Sequence, residues 1–419
     1  MSKPTFQDKP FWYLGTGAYW FVTSLKWFVL FLLQPLQVAE VVPGGEKNGA
    51  WGVIVAIGAF EAMVGPALMG WLSDRTQTRF GRRRPYLAIG AALTSVALLL
   101  LGQANSLVMM AIAYLFLQIS DDVATGPYAA LIYDQVPENH RGKASGILSM
   151  LQLIAQIVAV GIGLGLGKIA LIYVAVAVIN VICALITLAI WHEPAPSVRH
   201  ENELLLALPK LSIKSWTEPF RSPDFRWVWL ARFLVAFGFY LILLYVSNYL
   251  SDRVHQLTLF GFDLKTPKNG ALAAALAISL SGAIGSGIAA RLTDSLGRKK
   301  IIGLAGWVMA AALIPFALIP NFTVIFCVAL VFGLAYGIYL SASLALAADV
   351  LPDPEAAAKD MGIWQASVST PQVLTGAVGL LVDAGNRLSG GMGYTLAFLI
   401  SSAAFLTGCL LVTRVKGSN

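Results

Sequence analysis

"GWLSDRTQTRFGRRRPYLAIG" (Gly70–Gly90) decides how this chain is read. Between two long apolar runs it places Asp74 and then Arg75, Arg79, Arg82, Arg83 and Arg84. Far down the chain, "ARLTDSLGRKKIIGLAG" (Ala290–Gly306) repeats the arrangement, with Asp294 followed by Gly297, Arg298, Lys299 and Lys300. A second pair aligns in the same way. "AALIYDQVPENHRGKASG" (Ala129–Gly146) and "ALAADVLPDPEAAAKDMG" (Ala345–Gly362) match Asp134 to Asp349 and Pro137 to Pro352. Both pairs lie about 215–220 residues apart, and two independent correspondences at one separation mark a duplicated half.

Of the 419 residues, 57% are hydrophobic and only 12% are charged, against about 25% charged in an ordinary soluble protein. Long apolar runs recur to the end of the chain, which defines a polytopic membrane protein. Lys3 and Lys9 precede "FWYLGTGAYWFVTSLKWFVLFLL" (Phe11–Leu33), a run with no small-residue cleavage site, so it reads as a first span and not as a cleaved leader. Cys183, Cys327 and Cys409 lie far apart within apolar runs, against a disulfide framework or metal site, and the histidines have no zinc spacing.

Hydropathy gives twelve spans, centred near Phe21, Ala62, Ser95, Ser120, Ala155, Val181, Tyr240, Leu280, Ala310, Phe332, Pro371 and Ala403. Basic residues gather after the even-numbered spans: the five arginines above, Arg141 with Lys143, a set from Arg199 to Arg226, then Arg291 and Arg298–Lys300. Connections after odd-numbered spans are short or nearly uncharged, such as "GQANS" (Gly102–Ser106). The positive-inside rule then places both termini and the basic loops in the cytoplasm, in a plasma (inner) membrane. The net charge of +7 is therefore topology, and no nucleic-acid partner is expected. The expected fold is an all-α membrane protein with twelve transmembrane helices in two pseudo-symmetric six-helix halves. These are 1–191 and 227–419, joined by a proline-rich cytoplasmic linker, 192–226, with a short surface helix at "NELLLALPKL" (Asn202–Leu211). Six spans per half give both repeats one orientation, with the solute site expected between them near the midplane.

Asp-Arg, five residues, then Gly-Arg-Arg-Arg (Asp74–Arg84), with its weaker second copy, resembles the loop signature of the major facilitator superfamily over the whole chain. The resemblance implies the major facilitator fold and a cytoplasmic gate built from Asp74, Arg75, Gly81, Arg82, Arg83 and Asp134, with Asp294, Arg298 and Asp349 in the second half. Physically, an acid at a span exit accepts hydrogen bonds from a neighbouring helix N-terminus and from loop arginines, a latch that makes in one state and breaks in the other. More narrowly, Arg79-Phe80-Gly81 before the arginines and Pro85 after them resemble the glycoside–pentoside–hexuronide:cation symporters and their sucrose–proton relatives. "GPYAALIYD" (Gly126–Asp134) is similar to the plant-type sucrose symporters, and "FEAMVGP" (Phe60–Pro66) resembles the acidic second-span segment of melibiose-type members, which implies a cation-site role for Glu61. The chain departs from those families too. The second acid of the melibiose-type segment falls on Gly65 and the fourth-span acid on Thr125, which argues against the same sodium cage. In the sucrose group an Asp falls on Gln118, an Asn pair on Asp121 and Asp122, and an Arg on Ala129.

Five ionisable residues fall well inside spans: Lys26, Glu61, Asp121, Asp122 and Arg232. Each costs about 2.5–3.5 kcal/mol in the membrane unless it faces a cavity or a partner. Adjacent helical residues point about 100° apart, so Asp121 and Asp122 face different neighbours. Asp122 shares a face with Gln118, Thr125 and Gly126; Asp121 shares one with Tyr114, Thr125 and Tyr128; the first span offers Tyr19, Thr23 and Lys26. Two bases against three acids leave one carboxyl group over. The expectation is a proton carried by Asp122 or Asp121, with Lys26 as counter-ion and Glu61 as relay or coupling acid, and with sodium not excluded. Arg232 either snorkels from the surface near Arg226 or touches solute.

Amides and aromatics line several spans: Gln118; Gln152 and Gln156; Tyr245 and Asn248; Tyr336; Trp364, Gln365 and Gln372. Amides bind hydroxyls in both directions and aromatic faces stack on CH groups, a set suited to a sugar or another neutral polyol. Singly, each serves equally well in helix packing. The expected protein is a monomeric secondary active transporter, proton-coupled and carrying a sugar-like solute. Efflux of an amphipathic molecule, or delivery of pigment or lipid on a transporter fold, are the alternatives; the embedded charges count against delivery. The sequence holds no nucleophile–base pair or nucleotide loop, so neither an enzyme nor a cofactor is expected.

Overall fold

Prolines and glycines set the helix ends of this chain. The computed structural model describes residues 8–42, 45–76, 78–129, 136–193, 217–349 and 357–416, with backbone alone at several helix positions, among them 74–75, 138–143, 290–296, 347–349 and 365. Thirteen α-helices run through these residues: α1 Pro10–Val41, α2 Lys47–Ala62, α3 Gly65–Arg75, α4 Arg84–Gln103, α5 Leu107–Ala129, α6 Glu138–Gly165, α7 Ile169–Ile190, α8 Pro223–Arg253, α9 Pro267–Leu296, α10 Arg298–Leu318, α11 Phe322–Asp349, α12 Ala357–Leu388 and α13 Met392–Leu411. Helices α2 and α3 are one span broken at Met63–Val64, where Pro66 supplies no N–H and opens α3. The thirteen helices therefore make the twelve spans read from hydropathy.

Among the described residues nine helices are long and apolar enough to cross a membrane by composition: α1, α4, α5, α7, α8, α9, α10, α11 and α13. The other three spans fall short for identifiable reasons. The second is broken, α6 has an unbroken run of described side chains only over Met150–Gly165, and α12 carries Gln372, Asp383 and Arg387. The proline-rich linker lies mostly outside the described residues, including the expected surface helix; its end forms a 3-10 turn, Glu218–Arg221. Between α8 and α9 the chain makes a small hairpin, Thr258–Leu259 paired with Phe262–Asp263, which hydropathy does not foreshadow. Its signal is Phe260-Gly261, both at positive φ, the backbone of a tight hairpin turn.

The chain forms two compact units, 1–30 with 60–210 and 31–59 with 211–419. In the first unit α4 packs on α5 and α7, and α3 packs on α5. In the second, α10 packs on α11 and α13, and α9 packs on α11. Span for span these are the same three contacts, so the duplication visible in the loops is also present in the packing. A buried amide reinforces the first set: Asn180 on α7 donates to the Ala91 carbonyl (2.8 Å) and to Ser95 Oγ (2.9 Å) on α4.

One close approach in the first unit sets the spacing of α3 and α5. A Cβ built on Gly126 of α5 would meet the backbone of Pro66 at the start of α3. Gly126→Val therefore forces α3 and α5 apart; overpacking of this kind costs about 1–3 kcal/mol. A lowered melting temperature of the purified protein is expected, whereas Gly161→Ala, with nothing within 4 Å of its Cβ, leaves the melt unchanged.

Candidate functional site

α5 enters the protein interior as an apolar helix and then turns polar. Asp121 and Asp122 are both buried, at 2% and 4% exposure, which makes their partners decisive. Asp121 points at α1. Lys26 donates to its Oδ1 as a fully buried ion pair, and Trp27 Nε1 donates to its Oδ2 at 2.8 Å. Thr125 Oγ1 donates back to the Asp121 carbonyl at 2.9 Å, tying the backbone of this turn to its own side chains. Trp27 escaped the sequence reading; its signal was its place beside Lys26, which does not by itself show that indole and amine converge.

Asp122 points the other way, at the break between α2 and α3. Its Oδ2 and the Oε1 of Glu61, in the last turn of α2, converge on the space beside Gly65. Asp122 Oδ2 and Glu61 Oε2 are buried with no hydrogen-bond partner among the described residues. A Cβ on Gly65 would collide with both Asp122 Oδ2 and Glu61 Oε1. Gly65, the position where an acid is missing by comparison with the melibiose-type segment, is thus the space that the Asp122 carboxyl group fills. Gln118 on α5 and Tyr19 and Thr23 on α1 are buried as well. Tyr128 packs edge-on against Tyr19 and donates to the Thr16 carbonyl at 2.9 Å.

The arginine loop is held from an unexpected direction. Glu193, at the end of α7, accepts from the backbone N–H of Arg83 (3.0 Å) and Arg84 (3.4 Å), capping α4, and lies 3.7 Å from Arg82 Nε. Gly81 has φ +98 and its missing Cβ leaves the space that Glu193 occupies. Arg83 is buried and donates to the Pro127 carbonyl of α5 at 3.2 Å, and Arg84 donates to the Leu188 carbonyl at 2.7 Å. Of the other expected gate residues, Asp134 lies outside the described residues; Asp74, Arg75, Asp294 and Asp349 lie on helices whose side chains there are not described; Arg298 opens α10. Glu193 was missed because it stands at a span end, where an acid carries no pattern of its own.

In the second unit Arg232 of α8 places its guanidinium carbon over the Trp364 ring, 3.2 Å from its centroid, with Tyr240, Tyr336 and Tyr339 near its charge. Tyr336 stacks on Phe239 (4.5 Å, 4°), on Phe332 (5.8 Å) and on Tyr339 (6.3 Å), and Gln372 hydrogen-bonds with Tyr240. Arg232 is thus held on an indole face. The other expected solute residues divide. Gln152 is exposed and Gln156 half-buried on α6, and the Gln365 side chain is not described. Tyr245 and Asn248 are fully buried in helix contacts, Tyr245 donating to the Thr375 carbonyl at 2.7 Å and Asn248 to Asn48 Oδ1 at 2.8 Å.

A duplicated twelve-span bundle with a buried ion pair and a capped basic loop fits one class, the secondary transporters. The chain matches the Major Facilitator Superfamily over residues 18–286 and again over 257–417, and it belongs to that family. It is a transporter and not an enzyme. Its fold is similar to that of the nucleoside transporter NupG, with a TM-score of 0.72 at 14% identity over 96% of this chain and 98% of that one. A peptide transporter POT in complex with sulfate aligns at a TM-score of 0.74 and 14% identity, covering 99% of this chain and 96% of the other. A bacterial homologue of the human lysosomal transporter Spinster aligns at 0.71 and 17%, over 99% and 96%. In sequence the chain is 25% identical to the sucrose transport protein SUC4 of Arabidopsis thaliana over 173 residues, 36% of this chain and 34% of that protein, so the match spans about a third of that relative.

The ion pair generates a stability prediction. Lys26→Ala leaves Asp121 buried beside an indole with no cation, a loss of about 3–5 kcal/mol. Thermal melting in detergent is expected to fall sharply for Lys26→Ala and to recover in the double variant Lys26→Met with Asp121→Leu, which removes both charges and keeps the volume. Equal melting of the single and double variants would show that the pair is not what holds α1 to α5.

Proposed function

We propose that this chain is a proton-coupled symporter of a sugar or another neutral polyhydroxylated solute, a monomer working by alternating access in a plasma (inner) membrane with both termini cytoplasmic. The observation that carries the coupling is the Glu61–Asp122 carboxyl pair, whose oxygens converge beside Gly65. Two buried carboxyl groups converging on one space favour holding a proton between them, since two carboxylates side by side repel. Asp121 is satisfied by Lys26 and Trp27 and serves as the fixed counter-ion. Asp122 and Glu61, each with a buried oxygen that has no hydrogen-bond partner among the described residues, are the pair that exchanges a proton during the cycle.

The aromatic wall and amides of the second unit support a sugar-like solute: Arg232 on Trp364, Tyr336, and Gln372 at Tyr240 offer stacking faces and two-way hydrogen bonds. Gln118, Gln152, Gln156 and Gln365 belong to the same proposal. The similarity to a sucrose transport protein points the same way. Arg82, Arg83, Gly81, Asp74, Arg75 and Asp134, with Asp294, Arg298 and Asp349, form the cytoplasmic gate in this reading; the cap from Glu193 is what holds their loop against α4.

The test is purified protein in liposomes with a trapped pH indicator, exposed to a panel of sugars and polyols. Solute addition is expected to move protons inward with the parent protein. Asp122→Asn is expected to lose uptake driven by a pH gradient by more than about tenfold, the scale set by removing one proton-transfer group, while solute exchange at equal pH persists. Uptake that follows a pH gradient unchanged in both Asp122→Asn and Glu61→Gln overturns the assignment. Uptake that follows a sodium gradient and ignores pH replaces the proton. No movement across the panel, with lipid or pigment bound to the purified protein, replaces the function.

A further inference from the structure

We propose that Asp383 is a gate residue: a carboxylate latch that closes the transporter at the end of the second span remote from the arginine loop, and that releases whenever that end opens. The inference requires the transporter class alone and neither the proton nor the solute proposed above.

The latch is built on the first turn of α2, which begins at Lys47. Asp383, on α12, is 4% exposed, and both of its oxygens are engaged by that turn. Oδ2 accepts from the backbone N–H of Gly49 at 2.6 Å, and Oδ1 accepts from Asn48 Nδ2 at 2.8 Å. A carboxylate at a helix N-terminus satisfies amides that have no partner within the helix and meets the positive end of the helix dipole. Caps of this kind ordinarily come from the residue just before the helix. This one comes from 334 positions away.

The surroundings extend the same contact. Asn48 Nδ2 also donates to the Tyr394 hydroxyl at 3.0 Å, and Asn248 donates to Asn48 Oδ1 at 2.8 Å. Tyr394 donates to Asp252 Oδ2 at 2.6 Å, and Lys47 pairs with Asp252 Oδ1 at 2.5 Å. At the exposed rim Arg387 pairs with Glu46 at 2.9 Å. The first turn of α2 is thus bound by α8, α12 and α13 through polar groups. Just below, α2 and α12 meet backbone to backbone: a Cβ on Gly52 would strike the Gly376 carbonyl, and one on Gly376 would strike the Gly52 carbonyl.

Two features make this a latch and not a static cap. Residues 31–59 belong by duplication to the first repeat, yet they pack within the compact unit of the second repeat. Alternating access has to part them from it. The seam is also suited to parting. Glycine backbones interlock no side chains, and the hydrogen bonds of Asp383, Asn48 and the α2 amides are ones that water replaces when the seam opens. Glu193 supplies the contrast, since it caps α4 from inside its own repeat and need never let go.

The experiment uses the full chain with Cys183, Cys327 and Cys409 replaced by Ser and cysteines placed at the exposed rim by Glu46→Cys and Arg387→Cys. The rate of crosslinking by a short bifunctional maleimide reads how long the seam stays closed. Asp383→Asn is expected to slow it by about tenfold, the equivalent of one charge-assisted hydrogen bond. Asn48→Asp, which sets a second carboxylate against Asp383, is expected to do the same, and Asp263→Asn in the hairpin is expected to leave the rate unchanged. Parental rates in both seam variants overturn the latch, even with a lowered melting temperature, because a static cap affects melting alone. If Asp383→Asn does not fold, Asn48→Asp decides by itself. Failure of both to fold also overturns the proposal, since a contact the fold cannot spare cannot open in each cycle.

Discussion

A charge inside a membrane protein has to find its opposite or lose its place, and here that requirement is met by Lys26, Asp121 and Trp27. The amine and the indole N–H occupy both oxygens of one carboxylate, so α1 and α5 are clasped at a fixed register. Everything proposed about coupling depends on that saturation. With Asp121 fully engaged, the next residue along the helix, turned through about 100°, is left to face the break in the second span. There it meets Glu61, an acid and not a base, so no ion pair can form at that point.

The break itself is part of the arrangement. Pro66 ends the hydrogen-bond ladder of the second span, Gly126 lets α5 lie against it, and Gly65 leaves the room that Asp122 enters. Along one helix, Gly65 looks like a lost ligand. In three dimensions the acid has been moved to the neighbouring helix. A carboxylate is a property of a point in space, and two helices in contact can each supply it.

Carboxylates over helix N-termini recur at the start of the second span and at the start of the third, with opposite consequences. Glu193 fixes the arginine loop against α4 within a single repeat, and Arg83 carries that order to the last turn of α5 through the Pro127 carbonyl. Asp383 fixes α2 from the other repeat. The physics is one interaction, an acid satisfying free amides at the positive end of a helix. What distinguishes a brace from a latch is whether the acid and the helix travel together.

The sequence by itself determined the membrane class, the twelve spans, the duplication and the family, because apolar length, loop charge and repeated motifs are properties of the chain read in order. It also determined that the two adjacent acids had to diverge, since helical geometry permits nothing else. It did not determine where each would point. Lys26 was legible as a counter-ion but not as the partner of Asp121 alone; the contacts of Trp27, Glu193 and Asp383 had no spacing to read, because a donor or cap supplied from a distant helix leaves none. Tyr245 and Asn248 show the same limit from the other side, since polar residues on a span look alike in sequence whether they face solute or a neighbouring helix, and only packing separated them. Tertiary structure decided the partners because hydrogen bonds and ion pairs depend on distances of about 3 Å, and such distances between helices are set by which faces meet, not by the order of residues within either one.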